Sequence, residues 1–388
     1  MTSIRRRAWT SPKGEEKTAW LVDYVDNGGK RRAKQFARKK DAEAWLVGAA
    51  WQVSQGVHTA DSASVTVKKA AELWIEKAEA EDRERSTIKQ YKELERLHIS
   101  PLIGNVKLSR LTMPMVEKYR DDLVATRSRA MAGKAVRALS MVLAEAQRRG
   151  LVAQNVAKGV KVVRQGREKS KIEIPTRQEL KALLAAATDD EKPIIMTAVL
   201  TGLRSSELRG LRWQDVDLKK ATLSVNQRAD QWGAIGQPKS AAGFRTIPIS
   251  PALVTVLKAW KLRVVKSDLD LVFPNAKGGA QWHQNMLRRM FIPLQVRAGV
   301  SEPKMKAGKP LKDEEGNAVL TGRYGFHALR HAAASGWIAQ RIDLKRLQVW
   351  IGHENIQLTI DTYGHLITDA GGDAELIAAA GSDLLTGA

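Results

Sequence analysis

Six polar residues in the second half of the chain have the chemistry needed to break and rejoin a phosphodiester. In chain order they are Arg204, Lys239, His327, Arg330, His353 and Tyr363. A tyrosine that attacks a phosphodiester forms a phosphotyrosine ester, and this covalent bond keeps the energy needed to rejoin the strand without a nucleotide. Tyr363 lies among small and polar residues, whereas Tyr24, Tyr91 and Tyr119 fit apolar faces of predicted elements. Tyr363 is therefore the candidate nucleophile.

Two arginines of this set are suited to holding the phosphate. Guanidinium groups match phosphate oxygens in pairs and stay charged at any working pH, so Arg204 and Arg330 are predicted to stabilise the charge of the transition state. Arg204 follows Thr-Gly-Leu at the end of an apolar segment, where an unpaired charge would be costly. Glu207 lies one helical turn further on and is predicted to hold Arg204 in place without acting in catalysis.

Four of the seven histidines fall between residues 327 and 365, so a zinc site is the main alternative to proton transfer. Only His327 and His331 have the i, i+4 spacing of helical metal ligands, and that pair lacks the glutamate of a metalloprotease helix. We therefore predict no metal site and no cofactor. His327 and Arg330 share a helix face, and His331 is predicted to point elsewhere. His327 is predicted to take the tyrosine proton or to steady a phosphate oxygen.

The charge balance of the chain points to a polyanionic partner. The 388 residues include 64 Lys and Arg against 42 Asp and Glu, a formal net charge of +22. Such an excess favours nucleic acid, and no run of 18 apolar residues supports a membrane partner. The chain has no cysteine, which excludes a disulfide framework and a thiol nucleophile. This composition fits a cytoplasmic location.

The first 60 residues predict a small β-ribbon followed by a helix. Residues 20–25 alternate as a strand, Asp-Asn-Gly-Gly at 26–29 predicts a hairpin turn, residues 30–37 return, and residues 39–55 are helical. A basic β-ribbon can lie in a DNA groove. The candidate DNA contacts here are Arg31, Arg32 and Lys34. Charges that merely keep a small domain soluble are the alternative.

Residues 65–160 predict a helical bundle with a basic outer surface. Helices are expected to start at Thr66, at Ser86 as an N-cap, and at Thr112, and a fourth is expected over residues 129–149. One side of the last helix and the loop before it carries Arg127, Arg129, Lys134 and Arg137. These side chains are predicted to contact phosphates, with a solvated face as the alternative. Residues 161–173 are predicted to be a basic interdomain linker, with Arg164 as a DNA contact.

Residues 174–388 predict helices around two short strands, at 222–225 and 246–249. Lys239 lies in the turn-rich stretch between these strands, and Arg245 beside the second strand is a further candidate DNA contact. Residues 298–323 are predicted to be a surface loop. The last helices are expected over residues 327–340, 344–351 and 355–363, and the apolar stretch 374–385 is expected to dock on a neighbouring copy.

The six residues, each in a recognisable context, resemble the catalytic centre of the tyrosine recombinases, and most closely the phage-type integrases. The contexts are Thr-Gly-Leu-Arg, Pro-Lys-Ser, His-Ala-Leu-Arg, Ile-Gly-His and Thr-Tyr-Gly-His. The resemblance implies a fold that is mainly α with small β elements and closes as a clamp around DNA. It implies an arm-type DNA-binding β-ribbon/helix domain at 1–60, a helical core-binding (SAM-like) domain at 65–160, a linker at 161–173 and an α+β catalytic domain at 174–388.

The resemblance also implies residue roles and partners. His353 would donate a hydrogen bond to the scissile phosphate, and Lys239 would protonate the departing 5′-oxygen as general acid. The product would be a 3′-phosphotyrosyl link and a free 5′-hydroxyl. The partners implied are double-stranded DNA attachment sites and other copies in a homotetramer, with integration and excision of a phage or mobile-element genome in a bacterial cytoplasm. Whether a host DNA-bending factor and an excision protein take part stays open.

Three other functions compete with this interpretation. A single-site DNA-relaxing enzyme of the type IB topoisomerase kind would use the same chemistry, although a separate basic β-ribbon domain argues against it. A non-catalytic DNA-binding regulator would need the basic surfaces but not Tyr363. A metal-dependent nuclease would lose activity in EDTA.

Overall fold

The computed structural model describes residues 3–12, 14–25, 31–54, 64–163, 173–306 and 308–368. The chain divides into two compact units, Met1–Lys169 and Ser170–Ala388. The site candidates with catalytic chemistry all lie in the second unit. The predicted hairpin turn at 26–29, Arg164 of the linker and the apolar stretch 374–385 lie outside the described residues.

The first unit begins with a three-stranded antiparallel sheet in the order β1 (Ser3–Thr10), β2 (Glu16–Val25) and β3 (Arg31–Phe36). One face of the sheet packs on helix α1 (Lys39–Ser54), where the rings of Tyr24 and Phe36 lie 5.0 Å and 5.7 Å from that of Trp45. The sequence did not predict β1. Most of its residues are exposed, so it lacks the buried alternation that marks a strand and depends on backbone pairing with β2.

The rest of the first unit is a helical bundle. Its helices are α2 (Val67–Ala80), α3 (Arg85–Leu94), α4 (Ser100–Ile103), α5 (Met113–Thr126) and α6 (Arg129–Arg148). The hydroxyl of Thr66 accepts a hydrogen bond from the amide of Lys69, so it caps α2 as expected. The N-cap prediction at Ser86 was wrong, because α3 starts at Arg85 and places Ser86 in its first turn. Buried Glu145 of α6 pairs with Lys77 of α2 at 2.9 Å and ties these two helices together.

The second unit packs helices and small antiparallel sheets around a main hydrophobic core. Helices α7 (Arg177–Ala186), α8 (Lys192–Thr201), α9 (Ser205–Arg209) and α10 (Pro251–Arg263) lie in its first half. The strands there are β4 (Val216–Asp217), β5 (Thr222–Val225), β6 (Arg228–Ala229), β7 (Ile235–Gly236) and β8 (Arg245–Pro248), paired as β4-β5-β8 and β6-β7. Leu223 and Ile247, opposite each other on β5 and β8, are fully buried in the core.

The second half of this unit carries the helices α11 (His283–Met286), α12 (Ile292–Arg297), α13 (His327–Ala339), α14 (Leu344–Ile351) and α15 (Ile356–Thr368). α15 runs beyond the predicted end at 363, so Tyr363 lies inside a helix rather than at its end. α13, α14 and α15 enclose a small cluster of buried side chains. Its buried members are Ala334, Ile338, Leu347, Ile351 and Tyr363.

The segment predicted as a surface loop at 298–323 is instead a forked β-hairpin. Its stem pairs β9 (Ser301–Pro303) with β12 (Leu320–Gly322), and one branch pairs β10 (Met305–Lys306) with β11 (Lys309–Pro310). The strands are too short and too charged to produce an alternating pattern. The side-chain oxygen of buried Gln295 in α12 accepts from the amide of Tyr324 at 2.8 Å, which fixes the chain where it enters α13.

Candidate active site

Two glycines with left-handed backbones end the helices that border the site. α8 ends at Gly202 with φ of 60°, and α14 ends at Gly352 with φ of 69°. A side chain is strained in this conformation, which glycine adopts readily. The carbonyl oxygens of these two residues are hydrogen-bond acceptors in the site. The Gly202 oxygen accepts from Arg330 and the Gly352 oxygen accepts from Arg204, both at 2.8 Å.

A buried carboxylate fixes the first arginine. Glu207, 3% exposed, accepts hydrogen bonds from the guanidinium of Arg204 at 2.7 Å and from its backbone amide at 2.8 Å. Burial alone would raise the pKa of Glu207, but the neighbouring guanidinium of Arg245, followed by those of Arg204 and Arg330, lowers it to about 2. Glu207 is therefore ionised at neutral pH and acts as the counter-ion of the arginine cluster.

Arg245, predicted to contact DNA, does not have the exposure that such a contact needs. Its side chain is 1% exposed and donates to Glu207 at 2.7 Å and to the carbonyl of Trp350 at 2.7 Å. The prediction is corrected on this point. Side chains alternate in direction along β8, so Arg245 points inward and its neighbour Thr246 points outward. The buried guanidinium of Arg245 therefore pairs with Glu207.

Arg330 is held by backbone carbonyl oxygens. Its guanidinium donates to the carbonyls of Gly202 and Ile351, and the residue is 2% exposed. Burial, with the nearby charge of Arg204, lowers the pKa of Arg330 to about 9, so this side chain is still positively charged at neutral pH. Two fixed cations therefore face the same region, as binding of a phosphate requires.

Tyr363 is inserted between two histidines. It is 1% exposed, its hydroxyl lies 2.9 Å from Nδ1 of His331, and its ring stacks on that of His353 with an interplanar angle of 9°. Burial raises the pKa of Tyr363, while Arg330 and Arg204 act in the opposite direction. The expectation that His331 points away from the site was wrong. Residues 327 and 331 are one helical turn apart on α13, so their rings meet, 4.7 Å between centroids.

The two histidines predicted to act on the phosphate are both neutral at physiological pH. Burial, together with the nearby charges of Arg330 and Arg204, lowers the pKa of His327 and of His353 to about 4. Nδ1 of His353 lies 3.0 Å from the hydroxyl of Thr359, which orients the ring. Neutral imidazoles can donate one hydrogen bond and accept another, so the arginines supply the positive charge.

The structure places five of the six predicted catalytic residues in one cluster, close enough for their charges to affect one another's pKa. They are Arg204, His327, Arg330, His353 and Tyr363. Lys239 lies exposed on the loop between β7 and β8. His331 was missed as a site residue, although its i, i+4 spacing from His327 was a usable signal. Within the described part of the chain, no group of three or more His, Asp or Glu side chains is arranged to hold a metal ion.

The other predicted DNA contacts lie in the first unit. Four of these predicted contacts lie on α6 or in the loop before it, and all four side chains are exposed: Arg127, Arg129, Lys134 and Arg137. On β3, Arg31 is exposed, Arg32 is half-buried, and the Lys34 amine lies 4.8 Å from the ring centroid of Trp45, on the α1 side of the sheet. In the described ranges, no helix is both long and apolar enough to cross a membrane.

Comparison with known proteins defines the class. Residues 173–369 match the model of the phage integrase family, and residues 66–124 match that of the phage integrase N-terminal SAM-like domain. The chain belongs to the phage integrase family. It is a tyrosine-type site-specific recombinase, and the predicted fold class, mainly α with small β elements, is confirmed.

Individual relatives agree with this assignment. The chain is 27% identical to a XerC-like tyrosine recombinase of Caldanaerobacter subterraneus, covering 88% of this chain and 90% of that protein. It is 24% identical to the ICEBs1 integrase of Bacillus subtilis over 69% of this chain and 71% of that protein. The fold is similar to the Tn1549 transposon integrase in complex with a circular intermediate DNA, with a TM-score of 0.63, 16% identity, and coverage of 77% and 95%. A lambda integrase tetramer bound to a Holliday junction has a TM-score of 0.56, 15% identity, and coverage of 90% and 95%.

Proposed function

We propose that this recombinase integrates and excises a mobile DNA element by cutting and rejoining strands at its attachment sites. The observation that carries the proposal is the position of Tyr363. Its hydroxyl lies in a buried cluster, close enough to Arg330 and Arg204 for both positive charges to oppose the rise in its pKa that burial causes. A nucleophile beside two fixed cations is the arrangement that in-line attack on a phosphodiester requires.

The cleavage step uses each residue for one task. The guanidiniums of Arg204 and Arg330 bind the non-bridging oxygens and stabilise their charge as the phosphorus becomes five-coordinate. Neutral His327 and His353 donate hydrogen bonds to the same phosphate. The O–H bond of Tyr363 breaks, its proton passes to a neighbouring base, and its oxygen forms the bond to phosphorus that makes the 3′-phosphotyrosyl link. The bond from phosphorus to the 5′-oxygen breaks, and Lys239 protonates that oxygen.

Rejoining reverses these steps with a different strand. The free 5′-hydroxyl of a partner duplex attacks the phosphotyrosyl link and releases Tyr363, so no nucleotide is consumed. Each copy of the chain cuts one strand, and complete exchange between two duplexes needs several copies, which we propose act as a homotetramer. The 374–385 segment is proposed to dock on a neighbouring copy. Deletion of residues 374–388 should then abolish synapsis while leaving DNA binding.

The first unit is proposed to bind the DNA that flanks the cleavage point. Arg127, Arg129, Lys134 and Arg137 would contact phosphates, and Arg31, Arg32 and Lys34 of the sheet, with Arg164 of the linker, would extend the footprint. Phosphate contacts position a protein without reading sequence. We propose that the protein acts in the cytoplasm of a bacterial host. A host DNA-bending factor and an excision protein are proposed as further partners.

The test is a covalent-trapping assay in EDTA. The full-length protein is incubated with a nicked suicide duplex carrying the attachment site found beside its own gene, with Tyr363→Phe as the matched control. We expect a protein–DNA adduct that survives boiling in detergent and is absent in the control. Binding of the correct site without an adduct would favour the DNA-binding regulator. Relaxation of any supercoiled plasmid would favour the topoisomerase-like enzyme, and loss of cleavage in EDTA would favour the nuclease.

A further inference from the structure

The hydroxyl of Tyr363 has a specific partner that the cleavage scheme above does not use. It lies 2.9 Å from Nδ1 of His331. His327 instead contacts the ring of His331, edge to face, with 4.7 Å between centroids. We propose that His331 holds the Tyr363 oxygen in place and accepts its proton when that oxygen attacks phosphorus. This inference rests on the proposed cleavage reaction.

The packing around the tyrosine restricts where its proton can go. The phenol is 1% exposed, stacked on His353 and surrounded by apolar side chains of α13 and α14. A buried phenolate is costly, and bulk water has little access to the hydroxyl. The proton must therefore leave to a neighbouring group as the oxygen–phosphorus bond forms. His331 is that neighbour by distance, because a general base must lie within about 2.6–3.2 Å of the group it deprotonates.

The atoms and charges balance through both half-reactions. In cleavage, the O–H bond of Tyr363 breaks, its electron pair forms the bond to phosphorus, and the proton moves to Nδ1 of His331. The leaving 5′-oxygen takes its proton from Lys239. In rejoining, the imidazolium of His331 returns its proton to the phenolic oxygen as that oxygen leaves phosphorus. No oxidant, metal or additional reactant is needed.

The groups facing His331 keep it ready to accept a proton. Burial lowers the pKa of His331 and the charge of Arg330 lowers it further, so the neutral ring is the main form at neutral pH. His327 faces it from the same helix, Tyr363 from α15, and His353 interacts with it from the loop after α14. The imidazolium formed during attack lies beside the negative charge that develops on the phosphate, which offsets repulsion from Arg330.

The experiment separates activation of the nucleophile from protonation of the leaving group. Single-turnover cleavage is measured on the suicide duplex and on the same duplex with sulfur in place of the bridging 5′-oxygen, because a thiolate leaves without an acid. His331→Ala should cleave both duplexes about 100-fold to 10,000-fold more slowly than wild type, the range of a general base. Lys239→Ala, the matched control, should be slow on oxygen and restored on sulfur.

Two further readouts distinguish proton transfer from a structural role. Added imidazole should restore part of the rate of His331→Ala, and that rate should rise with pH through the neutral range, where wild type is level. His331→Asn keeps a hydrogen-bonding group near Nδ1 but cannot accept the proton, so it should be slow and retain wild-type DNA affinity and thermal stability. If the alanine variant fails to fold, the asparagine variant decides the question in the same assay.

Two outcomes would overturn the assignment. If His331→Ala and His331→Asn both cleave at the wild-type rate or faster, His331 does not accept the proton, and its hydrogen bond only holds Tyr363 in place before DNA binds. Restoration by the sulfur duplex would mean that His331 acts on the leaving group. If wild type itself forms no adduct on either duplex, the proposed cleavage reaction fails, which is distinct from a failure that affects only His331.

Discussion

Replacement of Glu207 by glutamine should destabilise the second unit, because the carboxylate neutralises a buried arginine cluster. Glu207 is 3% exposed and pairs with Arg204 and Arg245, each at 2.7 Å. The pKa of Glu207 is lowered from its ordinary 4.5 to about 2. At about 1.4 kcal/mol for each pKa unit, the ionised carboxylate contributes about 3 kcal/mol to the free energy of unfolding. Breaking a buried ion pair by removing one partner costs about 3–5 kcal/mol, which agrees.

The pH dependence gives the sign of this contribution. A carboxyl with a lowered pKa stabilises the folded state fully above its unfolded pKa, and the contribution is lost as pH falls through the folded pKa. The difference in the free energy of unfolding between wild type and Glu207→Gln should therefore have its full size at pH 7. It should shrink as pH falls from about 4.5 toward 2. Arg245 is 1% exposed, so water cannot take over the role of the missing charge.

Calorimetry and urea unfolding of the full chain measure this effect. A loss of about 3 kcal/mol should lower the melting temperature of the affected transition by about 6–12 °C for a unit of this size. Glu314→Gln, on the exposed forked hairpin of the same unit, is the matched control and should stay within about 0.5 kcal/mol of wild type. A Glu207→Gln variant as stable as the control at pH 7 would refute the proposed charge balance. We also expect its rate of adduct formation to fall at least about tenfold, because Arg204 loses its support.

Three further outcomes follow from the same geometry. Gly352→Ala should be more destabilising than Gly299→Ala in thermal unfolding, because both have left-handed backbones but only the Cβ at 352 meets neighbouring atoms, the nearest at 2.9 Å; equal losses would contradict this. The acid limb of single-turnover cleavage should lie below pH 6.5, because burial lowers the pKa of His331, the proposed base, and lowers those of His327 and His353 to about 4; an acid limb at pH 6.5 or above would refute it. Arg137→Ala should weaken DNA binding similarly on all sequences and reduce the slope of log affinity against log salt by about 1; an unchanged slope would remove this residue from the interface.

Local interactions explain why most helices were predictable. Thr66 and Thr176 cap α2 and α7 with their own side chains, and the reciprocal bond from Glu179 completes a capping box at α7. Such signals lie within four residues of one another and depend little on the rest of the chain. β1 and the strands of the forked hairpin were missed because their residues are mostly exposed, and their pairing depends on a distant or irregular partner strand.

The site divides in the same way. The sequence by itself determined which chemical groups are present and in what order, because a nucleophilic tyrosine, two arginines and paired histidines are properties of residue type. Only the tertiary structure decided which groups touch. Arg245 reaches Glu207 across 38 residues, and His331 reaches Tyr363 across 32. These contacts depend on how β8 packs against α9 and how α15 packs against α13, and such packing is set by the whole core rather than by any local pattern.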